Sequence, residues 1–235
     1  MLFRSGVYKD MSTMMPSYTN TNVLAYDPYF AQVVLLLQPD RGYIDFSSYS
    51  RSLRNFGGSI INGGFTNPFG GSFTITASGI SQAPDGFLCS MNAFSTNDFT
   101  IEFWIWPNDG TSTDILGNST GLYTVNSWRI ACTSTSVSLY IYNGSLTFTI
   151  QPIALNKWYH IAFTRIQNVL YGFINGVLVN QTALSVSLDS GTTSEILYIM
   201  WGGVSTNLSG YSYMDELRIT NGVGRYNQNF MVPKL

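Results

Sequence analysis

The stretch Asp98-Phe99-Thr100-Ile101-Glu102-Phe103-Trp104-Ile105-Trp106-Pro107 decides the fold class. It alternates polar and apolar residues at first, then becomes apolar on both faces. That pattern predicts a central strand of a β-sandwich, because alternate side chains of a strand point to opposite faces. Pro107-Asn108-Asp109-Gly110 ends it with turn chemistry.

Working outward, strand-like segments recur at short spacing. Val33–Leu37 is continuously apolar, as a strand buried on both faces is. Ser72–Thr76, Gly86–Met91, Trp128–Thr133, Val137–Tyr142 and Ser145–Ile150 follow, the last two joined by an Asn143-Gly144 turn. Lys157–Arg165 and Val169–Ile174 come next. Asn175-Gly176, both tolerant of positive φ, then predicts a second hairpin into Val177–Asn180. Glu195–Met200 and Met214–Thr220 complete about a dozen strands. No long segment carries a helical period, so the class is all-β, a sandwich or barrel.

Composition agrees. The 235 residues are 45% hydrophobic and 15% aromatic, but only 10% charged. Low charge with many aromatics argues against disorder. A net charge of −2 without a basic run argues against nucleic acid as a partner. One histidine, His160, excludes a multi-histidine metal site. Cys89 and Cys132 are too few for a disulfide scaffold. They pair once or sit buried as small apolar residues, and the second fits better. The start has no apolar signal-peptide core. The longest apolar run is far too short for a membrane span, so no membrane partner is expected.

Residues 1–30 have neither strand nor helix periodicity and mix Met11, Met14 and Met15 with Tyr8, Tyr18, Tyr26 and Tyr29. They read as a flexible leader or as an extended N-terminal arm for a neighbouring subunit. Residues 31–235 read as one domain.

Four stretches in order, DFTIEFWIWP (98–107), NKWYHIAFTR (156–165), GFINGVLV (172–179) and MDELRITNGVGRY (214–226), resemble the laminin-G-like, concanavalin-A-like jelly roll. YDPYFAQVVLLLQPD (26–40), FSSYSR (46–51) and RITNGVGRYNQNFMVP (218–233) resemble a subgroup common in bacteriophage virion proteins. The resemblance implies two antiparallel sheets of six or seven strands packed face to face. Trp104, Trp106, Trp158, Phe103 and Phe163 are then expected mostly in the core. An outward-facing Tyr or Trp would instead stack on sugar rings.

Glycoside hydrolases on this fold need two carboxyl groups flanking the scissile bond. The three glutamates, Glu102, Glu195 and Glu216, have no acidic residue two or four positions away. An enzyme is therefore not expected, and His160 is expected to be structural. No cofactor is expected apart from calcium, which members of this superfamily often bind. By resemblance, Asp40 and Asp215 stand at its ligand positions, although Arg41 brings a positive charge there. Otherwise Asp40 caps a turn, and Asp215 or Glu216 pairs with Arg218 or Arg225.

The resemblance to virion proteins implies a non-enzymatic structural subunit: a capsid decoration, head fibre or tail-associated protein. Its partners would be other virion proteins, reached through residues 1–30, and copies of itself in a homo-oligomer. It would be made in the host cytoplasm and located in the virion. The alternative is a carbohydrate-binding adhesin that recognises host surface glycans. Its loops, 107–114, 120–127 and 202–213, would lie at one sandwich edge.

Overall fold

The computed structural model describes residues 27–55, 58–62, 71–75, 86–108, 112–118, 127–142, 146–189, 194–200 and 212–232. Fifteen strands run through them: β1 (Val33–Leu37), β2 (Arg54–Asn55), β3 (Gly58–Asn62), β4 (Gly71–Ile75), β5 (Phe87–Asn92), β6 (Phe99–Pro107), β7 (Thr113–Gly117), β8 (Trp128–Cys132), β9 (Val137–Ile141), β10 (Leu146–Ile150), β11 (Tyr159–Ile166), β12 (Val169–Ile174), β13 (Val177–Ala183), β14 (Ser194–Ile199) and β15 (Ser212–Asn221). They form two antiparallel sheets. Sheet A has the order β13-β12-β11-β6-β15-β4-β3, with β1 also paired to β15. Sheet B has the order β10-β9-β8-β7-β14-β5-β2. This is the expected jelly-roll sandwich, with eight and seven strands among the described residues. No described helix is long and apolar enough to cross a membrane.

The alternation in β6 sets the core. Phe99, Ile101, Phe103 and Ile105 point between the sheets and are fully buried, as are Ile161 and Phe163 on neighbouring β11. Ile130, Leu139, Leu197 and Ile199 meet them from sheet B. Phe103 and Phe163 are thus core, as expected. Cys89 and Cys132 are both free and buried. Desolvation pushes each thiol up to about 12, so both behave as small apolar residues.

β1 is buried at all five positions. Val34, Leu35 and Leu37 join the main core, while Val33 and Leu36 form a second small cluster with Phe30. Asn175 and Gly176 take φ of 51° and 76°, the paired left-handed turn expected for the β12–β13 hairpin. The Asn143-Gly144 turn lies outside the described residues, although Ile141 and Leu146 pair across it.

On β11, the charged side chain of Arg165 faces inward. Arg165 is fully buried beside Phe99, its guanidinium carbon 5.1 Å from the ring centroid. It donates to the Ser95, Asn97 and Val186 carbonyls, tying two connections to the end of β11. Burial lowers its pKa to about 10, with Asp98 opposing, so it stays charged at neutral pH.

Candidate functional site

The strand ends show where each connection leaves the body. Pro107 at the end of β6 pairs with Ser212 at the start of β15. Met200, just past β14, donates its N–H to the Ile115 carbonyl of β7. Segments 108–112 and 201–211 therefore leave from the same end of the sandwich. Asn156 donates to the Pro107 carbonyl and brings the β10–β11 connection there too. The β7–β8 connection leaves from the opposite end, where Asn118 N–H meets the Trp128 carbonyl. The expectation that loops 107–114, 120–127 and 202–213 share one edge is corrected at their flanking strand ends: those of 107–114 and 202–213 lie together, and those of 120–127 lie at the opposite end. Residues 109–111, 119–126 and 201–211 lie outside the described residues.

At the shared end, the even-numbered residues of β6 point away from the core. Trp104 and Trp106 are half-buried on the outer face of sheet A, and so is Trp158, just before β11. Trp106 and Trp158 meet edge to face with ring centroids 5.8 Å apart. Trp104 meets His160 in the same way at 5.5 Å, and Phe230 lies beyond His160 at 5.9 Å. The core assignment of these three tryptophans is therefore corrected. They form a ledge, because residues 222–232 roof this face over His160 and Phe173 but leave the tryptophans partly open.

Under that roof is a buried ion network. Arg218 donates to Glu102 from Nε at 2.8 Å and lies 2.7 Å away through Nη2. The Tyr226 hydroxyl donates to the same carboxylate at 3.1 Å, and His160 Nε2 is 3.4 Å from it. Asp27 takes two bonds of 2.9 Å from Arg225 and a third of 3.2 Å from Arg218. Arg218 and Arg225 thus pair with Glu102 and Asp27, not with Asp215 or Glu216 as expected. Glu102 and Arg218 face each other in register across β6 and β15, a relation that sequence proximity hides. Burial pushes the Glu102 pKa up, but Arg218, His160 and Arg225 together pull it down to about 2. A fully enclosed carboxylate that stays ionised cannot serve as the proton donor of a glycosidase. His160 is fully buried in this network, which fits the structural role expected for it.

The two candidate calcium ligands occupy different settings. Asp40 is exposed in the 3-10 turn Pro39–Arg41. Asp215 is fully buried, and its Oδ1 accepts from the Glu216 N–H at 2.8 Å. Glu216 sits in a bulge of β15 with φ of 49°, and its carboxylate accepts from Gln38 Nε2 at 3.2 Å. Burial first, then the charges of Asp215 and Asp40, raise its pKa to about 8, with Gln38 and Arg41 opposing. Among the described residues, no three His, Cys, Asp or Glu side chains gather in a way that could hold a metal ion.

Residues 82–224 match the model of the concanavalin A-like lectin/glucanases superfamily. No curated protein matches the chain. Solved structures do. The binding domain of botulinum neurotoxin serotype D/C superposes with a TM-score of 0.63 at 17% identity, over 82% of this chain and 49% of that one. The binding domain of Paraclostridial Mosquitocidal Protein 1 gives 0.62 at 18% identity, over 82% and 49%. Botulinum neurotoxin type C, whose passage into cells depends on two ganglioside molecules, gives 0.60 at 16% identity, over 82% and 48%. The chain spans about half the length of these structures. At such identities the likeness is one of fold.

Proposed function

Because the chain belongs to the concanavalin A-like lectin/glucanase superfamily, we propose that it is a non-enzymatic carbohydrate-binding domain that holds glycans against the Trp104–Trp106–Trp158 ledge. The observation that carries this reading is the ledge itself. Three partly buried indoles, their ring N–H groups enclosed, stand on one face, at the end where segments 108–112 and 201–211 leave. The apolar C–H face of a pyranose packs on an indole, while polar groups of flanking loops take its hydroxyls. Botulinum neurotoxin type C, about half of whose structure shares this fold and whose entry into cells depends on two ganglioside molecules, supports host glycans as the ligand class.

A glycan array tests this. Wild type is expected to give signals that Trp106→Ala and Trp158→Ala lower about tenfold or more, equivalent to about 1.4 kcal/mol. An array blank for wild type, with and without Ca²⁺, would sink the reading. The Ca²⁺ arm also tests the role proposed by resemblance for Asp40 and Asp215.

Phe30 is buried, and Asp27 is clamped by Arg225 and Arg218, so residues 27–30 are fixed to sheet A. Whatever precedes them joins the body at a fixed point. This suits a bacteriophage virion subunit attached through its N-terminal segment, self-associating and displaying the sandwich. Deleting residues 1–26 is expected to leave a folded domain that no longer joins phage particles. Full incorporation of the truncated chain would rule out the arm.

A further inference from the structure

The outer faces of the two sheets differ. Residues 27–30 and 222–232 pack over sheet A. Among the described residues, Ser90, Thr147 and Ile196 stay exposed on the outer face of sheet B, and Arg129 and Asp114 are 28% and 23% exposed. The strand registers align Thr147, Tyr140, Arg129, Gly117, Tyr198 and Leu88 in one row across this face. Gly117 packs in this row directly against β8. A Cβ there would lie 2.7 Å from the Trp128 carbonyl and 2.9 Å from Arg129 Cα, so the position takes no side chain without moving β8.

Beside Gly117, Arg129 is held on three sides. Its guanidinium carbon lies 4.2 Å from the Tyr140 ring centroid. Its Nε donates to the Tyr142 hydroxyl at 2.6 Å, and Nη1 is paired with Asp114. The side chain is therefore ordered before any ligand arrives, which removes a cost that a free arginine bears on binding. Asp114 cancels its charge, so the patch does not favour an anion. It presents a planar donor next to a carboxylate acceptor. Each hydroxyl of a sugar diol both donates and accepts, so a neighbouring pair suits this arrangement.

We propose that the outer face of sheet B is a second saccharide-contact surface, where Arg129, Asp114 and Tyr142 take adjacent hydroxyls of a neutral sugar chain lying along the row. The proposal rests on the carbohydrate-binding reading of the domain but uses none of the residues of the tryptophan ledge.

Affinity electrophoresis in gels containing mixed-linkage β-glucan, xylan, mannan or dextran tests it, with alginate as the anionic comparison. At least one neutral polymer is expected to retard the wild-type chain. Arg129→Lys and Asp114→Asn, each verified as folded by circular dichroism, are expected to weaken that retardation about tenfold. Both residues are part-exposed, so neither change leaves a deeply buried group unpaired. No retardation of wild type by any neutral polymer overturns the proposal. So does wild-type migration of both variants, or retardation by alginate alone. If Trp106→Ala abolishes retardation while Arg129→Lys does not, the ledge reading stands and this one falls. If Arg129→Lys and Asp114→Asn weaken it while Trp106→Ala does not, this surface stands and the ledge falls.

Discussion

Glu102→Gln is expected to lower stability by about 3–5 kcal/mol at pH 7, the cost of breaking a buried charge pair from one side. The carboxylate is fully buried and is met by Arg218, Tyr226 and His160. A neutral amide leaves two arginines facing only Asp27. Because Tyr226 is bonded to Glu102, the loss also loosens the hold on residues 222–232, while Asp27 keeps its arginines. Its pH dependence follows from the depressed pKa. The Glu102 contribution is present above the ordinary glutamate value of 4.5 and is lost as pH falls toward 2. Urea titrations at pH 7 and pH 3 therefore show a large gap between wild type and variant at pH 7 and a smaller one at pH 3. If the variant does not fold, Tyr226→Phe and Asp27→Asn provide graded losses in the same pair of titrations. A Glu102→Gln deficit below 1 kcal/mol at pH 7 would mean the network does not hold the chain ends.

Glu216→Gln is expected to act in the opposite direction. The Glu216 carboxyl is buried beside Asp215, and its pKa of about 8 lies above the ordinary 4.5. The folded state thus holds its proton more tightly than the unfolded state. Stability from this group is full below pH 4.5 and is lost as pH rises through 8. Integrated over that range, the loss is on the order of 4 kcal/mol. Gln keeps an oxygen that can accept from Gln38 but cannot ionise. The variant should therefore match wild type near pH 5 and exceed it at pH 8, as read from thermal midpoints at the two values. Parallel curves for the two proteins from pH 5 to pH 8 would show that Glu216 does not titrate in the fold.

What the sequence reveals depends on how local the deciding contact is. β6 and β11 are legible because their alternation is set by the sheet they belong to. β1 is legible because an unbroken apolar run needs cover on both faces, and the Phe30 cluster supplies the second. The Asn175-Gly176 turn follows from backbone preference alone. The tryptophans are not legible in this way. Apolar residues on both faces of β6 suggest burial on both, but the second cover is a distant segment, 222–232, and Trp104 and Trp106 on that face end only partly buried. The arginine partners are hidden for a related reason. Asp215 and Glu216 are near Arg218 in sequence, yet the β15 bulge breaks the alternation there, and register brings Glu102 across instead. The Arg129 patch is missed because its members come from three strands and are ordinary residues one by one.

The most direct measurement is the shift of tryptophan indole N–H signals in a ¹⁵N–¹H NMR titration. The probes are a sialylated ganglioside oligosaccharide and a neutral manno-oligosaccharide, with signals assigned by single Trp→Phe changes. Trp128 is fully buried between the sheets and serves as the internal reference. At least one oligosaccharide is expected to move the Trp104, Trp106 and Trp158 signals in a saturable way and to leave Trp128 in place. Signals that stay fixed with both probes, or that move without distinguishing Trp128 from the ledge, would contradict it.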